Sequence, residues 1–249
     1  MQKLMSRMRA AMEKYDMVQN GDRIAVGVSG GKDSLALLAA LAELRRFYPQ
    51  KFEIVGITLD MGFENGGNWE AIRSLCTQYH VEYVVKQTEL SKVIFEYRQE
   101  SNPCSLCAKM RRGSLHDAAR ELGCNKLALG HHTDDAAETF LMNLLSGGRV
   151  ACFRPVTYLS RKDMYVIRPM VLARESMVAS VAERYNLPVQ KSGCPMDGHS
   201  ERENMKNLLD TLERTYPHLR EKIVGAMERG NIDGWGHISP TDLERSIKE

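Results

Sequence analysis

Four short apolar runs decide what this chain can become. DRIAVGVS (22–29), FEIVGITLD (52–60), VEYVVKQ (81–87) and NKLALGHH (125–132) are separated by SLALLAALAELRRF, NWEAIRSLCTQYH and CSLCAKMRRGSLHDAARELG, where apolar residues recur every three or four positions. Runs of the first kind read as strands buried on both faces, and strand–helix alternation makes successive strands parallel. The expected fold class is α/β: a doubly wound parallel sheet with helices on both faces. A helix at TDDAAETFLMNLL, a strand at MYVIRPM and a helix at RESMVASVAERYNL continue the pattern, and two tail helices break at Tyr216-Pro217. Ligands of such sheets bind at the carboxyl ends of the strands, where Ser29, Asp60 and His131 fall.

The expected organisation is an N-terminal docking helix over 1–19, one α/β domain over 20–186, and a C-terminal loop and helical tail over 187–249. A hydrophobic fraction of 43% with 27% charged residues suits a full core. No apolar run reaches the length of a membrane span. The start, MQKLMSRMRAAMEKYDM, carries Glu13 and Asp16 and reads as a docking helix instead of a signal peptide. These features place the protein in the cytoplasm, where six cysteines do not imply disulfides. A net charge of +2 announces no polyanionic partner, but its distribution is uneven. Arg149, Arg154, Arg161, Lys162, Arg168 and Arg174 face one acid, Asp163, whereas eleven acids outnumber eight bases from Asp197 onward. The pattern suits a basic face for nucleic acid, or a solvated charge run.

SGGKDS, Ser29 to Ser34, joins the first strand to its helix. Two glycines let backbone approach a polyanion, and the amides of the helix start point at it. The spacing fits neither the Walker loop nor the dinucleotide fingerprint. The hexapeptide resembles the PP-loop of the N-type ATP pyrophosphatases, which split ATP into AMP and pyrophosphate and pass the adenylyl group to a substrate. The resemblance implies that Ser29, Gly30, Gly31 and Ser34 cradle the pyrophosphate part of ATP. Lys32 would offset its charge and Asp33 would help to hold Mg2+. Asp60 would line the nucleotide pocket, or simply cap its strand. In GHHTDDAAET, Thr133, Asp134 and Asp135 would cap a helix in any fold, yet two histidines and two aspartates at one strand end exceed that need. Asp135 is assigned to magnesium or substrate orientation, and Gly130 and His131 to the ATP pocket.

Cys76 and Cys124 read as core residues. Cys104 and Cys107 open a helix after Pro103 on one face, with Lys109, Arg111 and Arg112 behind them. The helix start and the cations are expected to lower the thiol pKa values. Zinc would need a fourth ligand in a closed site, and a redox dithiol would follow the first strand. An iron–sulfur cluster can accept three cysteines, the third being Cys152 or Cys194. The pattern PCSLCAKMRRG…LALGHHTDDAAETFLMNLLSGGR…VIRPM…RE resembles the tRNA 2-thiocytidine synthetase family, from about Asp16 to Leu209.

That resemblance implies a four-iron, four-sulfur cluster on Cys104, Cys107 and Cys194, and a catalytic set formed by these three with Asp33 and Asp135. Lys191 stands where members of that family carry a further cysteine. It further implies tRNA as substrate, a cytidine C2 carbonyl adenylated and then thiolated, a sulfur donor (a cysteine desulfurase or free sulfide) and a homodimer. Arg111, Arg112, Arg149, Arg154 and Arg168 would hold the RNA. A tRNA uridine thiolase, a tRNA lysidine synthetase (which needs no cysteine pair) and an iron–sulfur redox sensor share parts of the pattern.

Overall fold

A computed structural model describes residues 1–63, 67–98, 103–191, 193–194 and 201–236. Its sheet has six strands in the order β3-β2-β1-β4-β6-β5. They are β1 (Asp22–Gly27), β2 (Phe52–Asp60), β3 (Glu82–Gln87), β4 (Lys126–Ala128), β5 (Val156–Leu159) and β6 (Met164–Ile167). All neighbours run parallel except β5 and β6, which form an antiparallel edge hairpin. The parallel sheet expected from the apolar runs is therefore present, with one addition. VTYL at β5 is short and mostly half-buried, so it lacks the continuous apolar signal of an interior strand.

Helices cover both faces. On one, α2 (Lys32–Leu44) packs with α1 (Gln2–Lys14), α3 (Trp69–Gln78) and α7 (Glu175–Arg184) around the larger core cluster. Every residue of α2 from Ser34 to Ala42 is buried, because sheet, α1 and α7 enclose it; this is why LALLAALA is apolar all round. α1 presents Leu4, Met8, Ala11 and Met12 to that core at helical spacing. On the other face α5 (Pro103–Glu121) lays Ala118 and Ala119 on Ala25, Val55, Ile57 and Leu127. A short helix α4 (Leu90–Lys92) and a π-helical turn (Val93–Arg98) precede α5.

α6 (Thr133–Leu145) follows β4, and the tail helices α8 (Glu201–Thr215) and α9 (Leu219–Arg229) both pack against it. The tail returns to the N-terminus: Lys14 Nζ lies 2.7 Å from Glu228, and the buried Trp235 stands edge-on to Tyr15. Strand order reverses between β1 and β4, one running toward β3 and the other toward β5. The loops after these two strands, SGGKDS and GHHTDD, thus flank the crevice where such sheets hold ligands.

Candidate active site

The phosphate loop is built by its own side chains. Ser29 N–H donates to Ser34 Oγ at 3.1 Å, Ser34 Oγ donates to Gly31 O at 2.9 Å, and the two serine hydroxyls are 3.2 Å apart. Gly30 takes φ +85°, a conformation that a side chain would oppose. Opposite, Gly130 lets β4 approach closely: a Cβ there would lie 3.1 Å from the Asp33 carbonyl and 3.2 Å from Ser34 N.

α6 starts with a reciprocal cap. His132 Nδ1 accepts from Asp135 N–H at 3.3 Å, while the Asp135 carboxylate accepts from His132 N–H at 2.9 Å. Sequence reasoning looked to Thr133 and the aspartates for this cap, because histidine is not among the common N-cap residues. The His132 ring also joins the two candidate magnesium ligands, with Nε2 3.7 Å from Asp33 Oδ1 and Nδ1 3.3 Å from Asp135 Oδ2. Asp134 turns mainly toward α7 and α9: its oxygens accept from Arg174 Nε at 3.1 Å and Glu175 N–H at 2.7 Å, with Arg220 Nε 3.3 Å away as an ion pair and His132 Nδ1 at 3.7 Å. Successive helical positions diverge by about 100°, so one aspartate ties α6 to α7 and α9 and the other faces the crevice.

Four residues that sequence reasoning missed complete this region. Glu175, the first residue of α7, bridges Lys32 Nζ at 2.9 Å and Lys206 Nζ of α8 at 3.0 Å. Burial alone would raise its carboxyl pKa, but hydrogen bonds from the two lysines outweigh it and bring it down to about 2. Arg202, one turn before Lys206, reaches Asp135 at 3.4 Å. Glu138, one turn after Asp135, is pushed up to about 7, first by burial and then by Asp135.

The cysteines assemble at the same end. Cys104 is exposed, and Cys107 and Cys194 are half-buried. Burial pushes the Cys107 thiol up, Arg111 pulls it down, and the Cys194 and Cys104 sulfurs add to the rise. The expected lowering is thus corrected for Cys107: removal from water outweighs the cation. The same interactions place Cys104 and Cys194 each within electrostatic range of Cys107. Among the described residues no three His, Cys, Asp or Glu side chains close around a single ion. Iron–sulfur clusters are held by cysteine sulfurs, so three cysteines brought from two segments form a donor set that fits a cluster. Gln190, four residues before Cys194, donates its backbone N–H to Gly30 O at 2.9 Å, pinning the third cysteine's loop to the phosphate loop. Cys152 is half-buried with its Sγ 3.5 Å from the Ala136 carbonyl, and removal from water pushes its thiol up to about 12.

Asp60 accepts from Trp69 Nε1 at 2.9 Å and from Gly62 N–H at 3.0 Å, the contacts of a strand-end cap. Arg111, Arg112, Arg149 and Arg154 are exposed. Arg168 is not: its guanidinium turns inward to the Arg154 carbonyl and stands 5.0 Å from the Phe153 ring centre. Of the basic stretch, Lys162 pairs with Asp117 and Arg174 with Asp134, Glu213 and Glu221, so the expected basic face is narrower than the sequence suggests. His131 packs on Phe153 with ring centres 4.9 Å apart, and burial, followed by Arg168, pushes its pKa down to about 3.

A glycine-turned loop at the switch point of a parallel sheet, faced by carboxylates from the next strand end, defines the class: a PP-loop domain, whose family model matches residues 2–191. The chain is 40% identical over 243 residues to a tRNA-cytidine(32) 2-sulfurtransferase of Syntrophotalea carbinolica, covering 96% of this chain and 90% of that protein. A protein of the same name from Pelobacter propionicus is 38% identical over 231 residues, covering 90% and 86%. The chain belongs to the tRNA-cytidine(32) 2-sulfurtransferase family. Among solved structures, the U34-tRNA thiolase NcsA from Methanococcus maripaludis with its [4Fe-4S] cluster superposes with a TM-score of 0.74 at 28% identity, covering 94% of this chain and 79% of that one.

Proposed function

We propose that the protein is an ATP-dependent tRNA sulfurtransferase that replaces the C2 oxygen of a cytidine in the anticodon stem-loop with sulfur. The observation that carries this reading is the hydrogen bond from Gln190 to Gly30, which holds a cysteine loop against a phosphate loop. Cytidine is favoured over uridine because the relatives at 36–40% identity are named for it, whereas the uridine thiolase is 28% identical. Among the described residues no helix is long and apolar enough to cross a membrane.

The C2 oxygen is a poor leaving group until it attacks the α-phosphorus of ATP and becomes part of an adenylate. The SGGKDS amides and Lys32 would hold the polyphosphate and stabilise the departing pyrophosphate, the main task of a protein in phosphoryl transfer. Asp33 and Asp135, on either side of His132, would hold the accompanying Mg2+, which commonly takes one or two carboxylates besides phosphate oxygens. Cys104, Cys107 and Cys194 would hold a four-iron, four-sulfur cluster, whose fourth iron, open when three cysteines ligate it, supplies a place to carry sulfur. Arg111, Arg112, Arg149 and Arg154 would grip backbone phosphates, and AMP leaves with the original oxygen. The sulfur donor is a cysteine desulfurase or free sulfide, and the working form a cytoplasmic homodimer.

Nucleoside mass spectrometry of tRNA from cells lacking the protein tests this: 2-thiocytidine should be absent and return with the wild-type gene. Anaerobically purified protein should be brown, and Cys107→Ser should lose colour and thiolation together while still binding ATP. Persistence of 2-thiocytidine in the deletion, or a colourless protein with stoichiometric zinc, would overturn the reading.

A further inference from the structure

Four buried polar side-chain atoms among the described residues make no hydrogen bond: Asp33 Oδ1, His131 Nδ1, Arg168 Nε and Arg220 Nε. Two of them have an ionic partner nearby, Lys32 at 3.2 Å from Asp33 Oδ1 and Asp134 at 3.3 Å from Arg220 Nε. His131 Nδ1 and Arg168 Nε have no such partner, and both side chains lie against the ring of Phe153. A buried donor or acceptor left unmatched is costly, and in a native protein it calls for an explanation such as a ligand.

Arg168 deepens the case. Among the described residues no carboxylate pairs with it, and its neighbours are a carbonyl, the Thr157 hydroxyl at 3.4 Å and an aromatic ring. Burial and the nearby Arg112 bring its pKa down to about 10. A half-buried guanidinium with no carboxylate beside it among the described residues is short of an anion. Phe153 itself is held from behind, since its carbonyl accepts from Trp235 Nε1 at 2.8 Å and the Trp235 ring stands 6.0 Å from its own. The three residues sit beyond the carboxyl ends of β4 and β6, on the far side of the crevice from Asp60.

We propose that His131, Phe153 and Arg168 form the subsite for the extruded nucleotide of the RNA: the Phe153 ring supplies the stacking wall, His131 Nδ1 reads the edge of the base, and Arg168 with Arg112 receives its phosphate. An aromatic wall, in-plane polar atoms and an uncompensated cation are what an unstacked nucleotide requires. The inference rests on the function proposed above and adds the base-reading residues to it. ATP also carries a base and a phosphate, and the test separates the two sources.

The holoenzyme and its His131→Phe, His131→Asn and Arg168→Lys variants are compared anaerobically for ATP affinity, tRNA affinity and single-turnover thiolation. His131→Phe keeps the ring and removes the nitrogen, and Arg168→Lys keeps the charge and removes Nε. Each should slow thiolation about 100-fold while tRNA and ATP affinities stay within about threefold, and His131→Asn should recover most of the rate. Parallel loss of ATP affinity would assign the subsite to ATP, and wild-type rates in both variants would abolish it. A fluorescent cytidine analogue at the target position of the tRNA provides a readout independent of sulfur transfer. Its emission should change on binding the wild type and not on binding His131→Phe or Arg168→Lys. That response without thiolation would refute the proposed function and leave the subsite standing; an equal response in wild type and variants would refute the subsite.

Discussion

Replacing Glu175 with glutamine removes the carboxylate that joins Lys32 of the phosphate loop to Lys206 of α8. The backbone N–H that position 175 gives to Asp134 is untouched, so the loss is one of charge. A carboxyl carried from 4.5 to about 2 has gained some 300-fold in its preference for the ionised form, about 3.4 kcal/mol at 1.36 kcal/mol per factor of ten. Glu175 is only half-buried, and solvent screening reduces this to about 1–2 kcal/mol at neutral pH. For a chain of this size that corresponds to a fall in melting temperature of about 3–6 °C. The sign of the pH dependence follows from the depressed value. The contribution is complete above the unfolded-state pKa near 4.5 and fades as pH falls toward 2, dropping to less than half by about pH 3. Wild type and Glu175→Gln should therefore differ fully in urea unfolding between pH 7 and 5 and converge at lower pH. ATP titration should show affinity undiminished, because the carboxylate removed would repel a polyphosphate. A melting temperature within about 1 °C of wild type at pH 7, or a difference that grows on acidification, would refute the argument.

Two further substitutions test the frame around the site. Gly130→Ala places a Cβ 3.1 Å from the Asp33 carbonyl, where backbone has to move; ATP affinity measured by calorimetric titration should fall about tenfold with the fold intact by circular dichroism. Thr58, fully buried in β2, donates to Val28 O at 2.7 Å and shares a 2.7 Å hydrogen bond with Tyr83 Oη. Thr58→Val strands both partners and should cost about 1–3 kcal/mol in urea unfolding. A cost below about 0.5 kcal/mol would show that water reaches the pair.

Sheet and phosphate loop were legible because their signals are local. Interior strands of a parallel sheet are apolar throughout, and SGGKDS needs only its own glycines and serines to form the turn. β5 escaped because an edge strand has half its surface in water, and the charged turn RKD hides the hairpin. Glu175, Lys206 and Gln190 escaped for another reason. Their partners lie 31 to 160 residues away, and no spacing rule reports which loop a helix start will meet. Arg168 was legible as a basic residue and misleading as a surface one. It follows the buried Ile167 at the carboxyl end of β6, so its direction is set by the strand and not by the charge run around it. The cysteine pair was visible as a pair. The lowered thiol pKa expected of it fails at Cys107 because burial, which charge patterning does not report, is the larger effect.

The long-range contacts share one feature: each ties a separately encoded piece of chemistry to the switch-point crevice. Gln190 brings the loop of Cys194 to Gly30, and Glu175 and Lys206 reach Lys32 from α7 and α8. Trp235, near the end of the described chain, steadies Phe153. The carriers of these ties are themselves rigidly held. Asp134 locks α6 to α7 and α9 through two arginines and a backbone amide, and Tyr15 of the N-terminal segment packs on Trp235 from behind. An adenylate exposed to water would be lost to hydrolysis, so the function proposed above calls for nucleotide, base and sulfur carrier to share one enclosed space before activation begins. The α8 and α9 helices contribute to this framework through Arg202, Lys206 and Arg220, although residues 201–236 lie beyond the span 2–191 that the PP-loop domain model matches. A chain ending at residue 191 would keep SGGKDS and Asp135 yet lose Cys194, Arg202, Lys206 and the support of Phe153. On this reasoning α8 and α9 belong to the framework that holds the crevice.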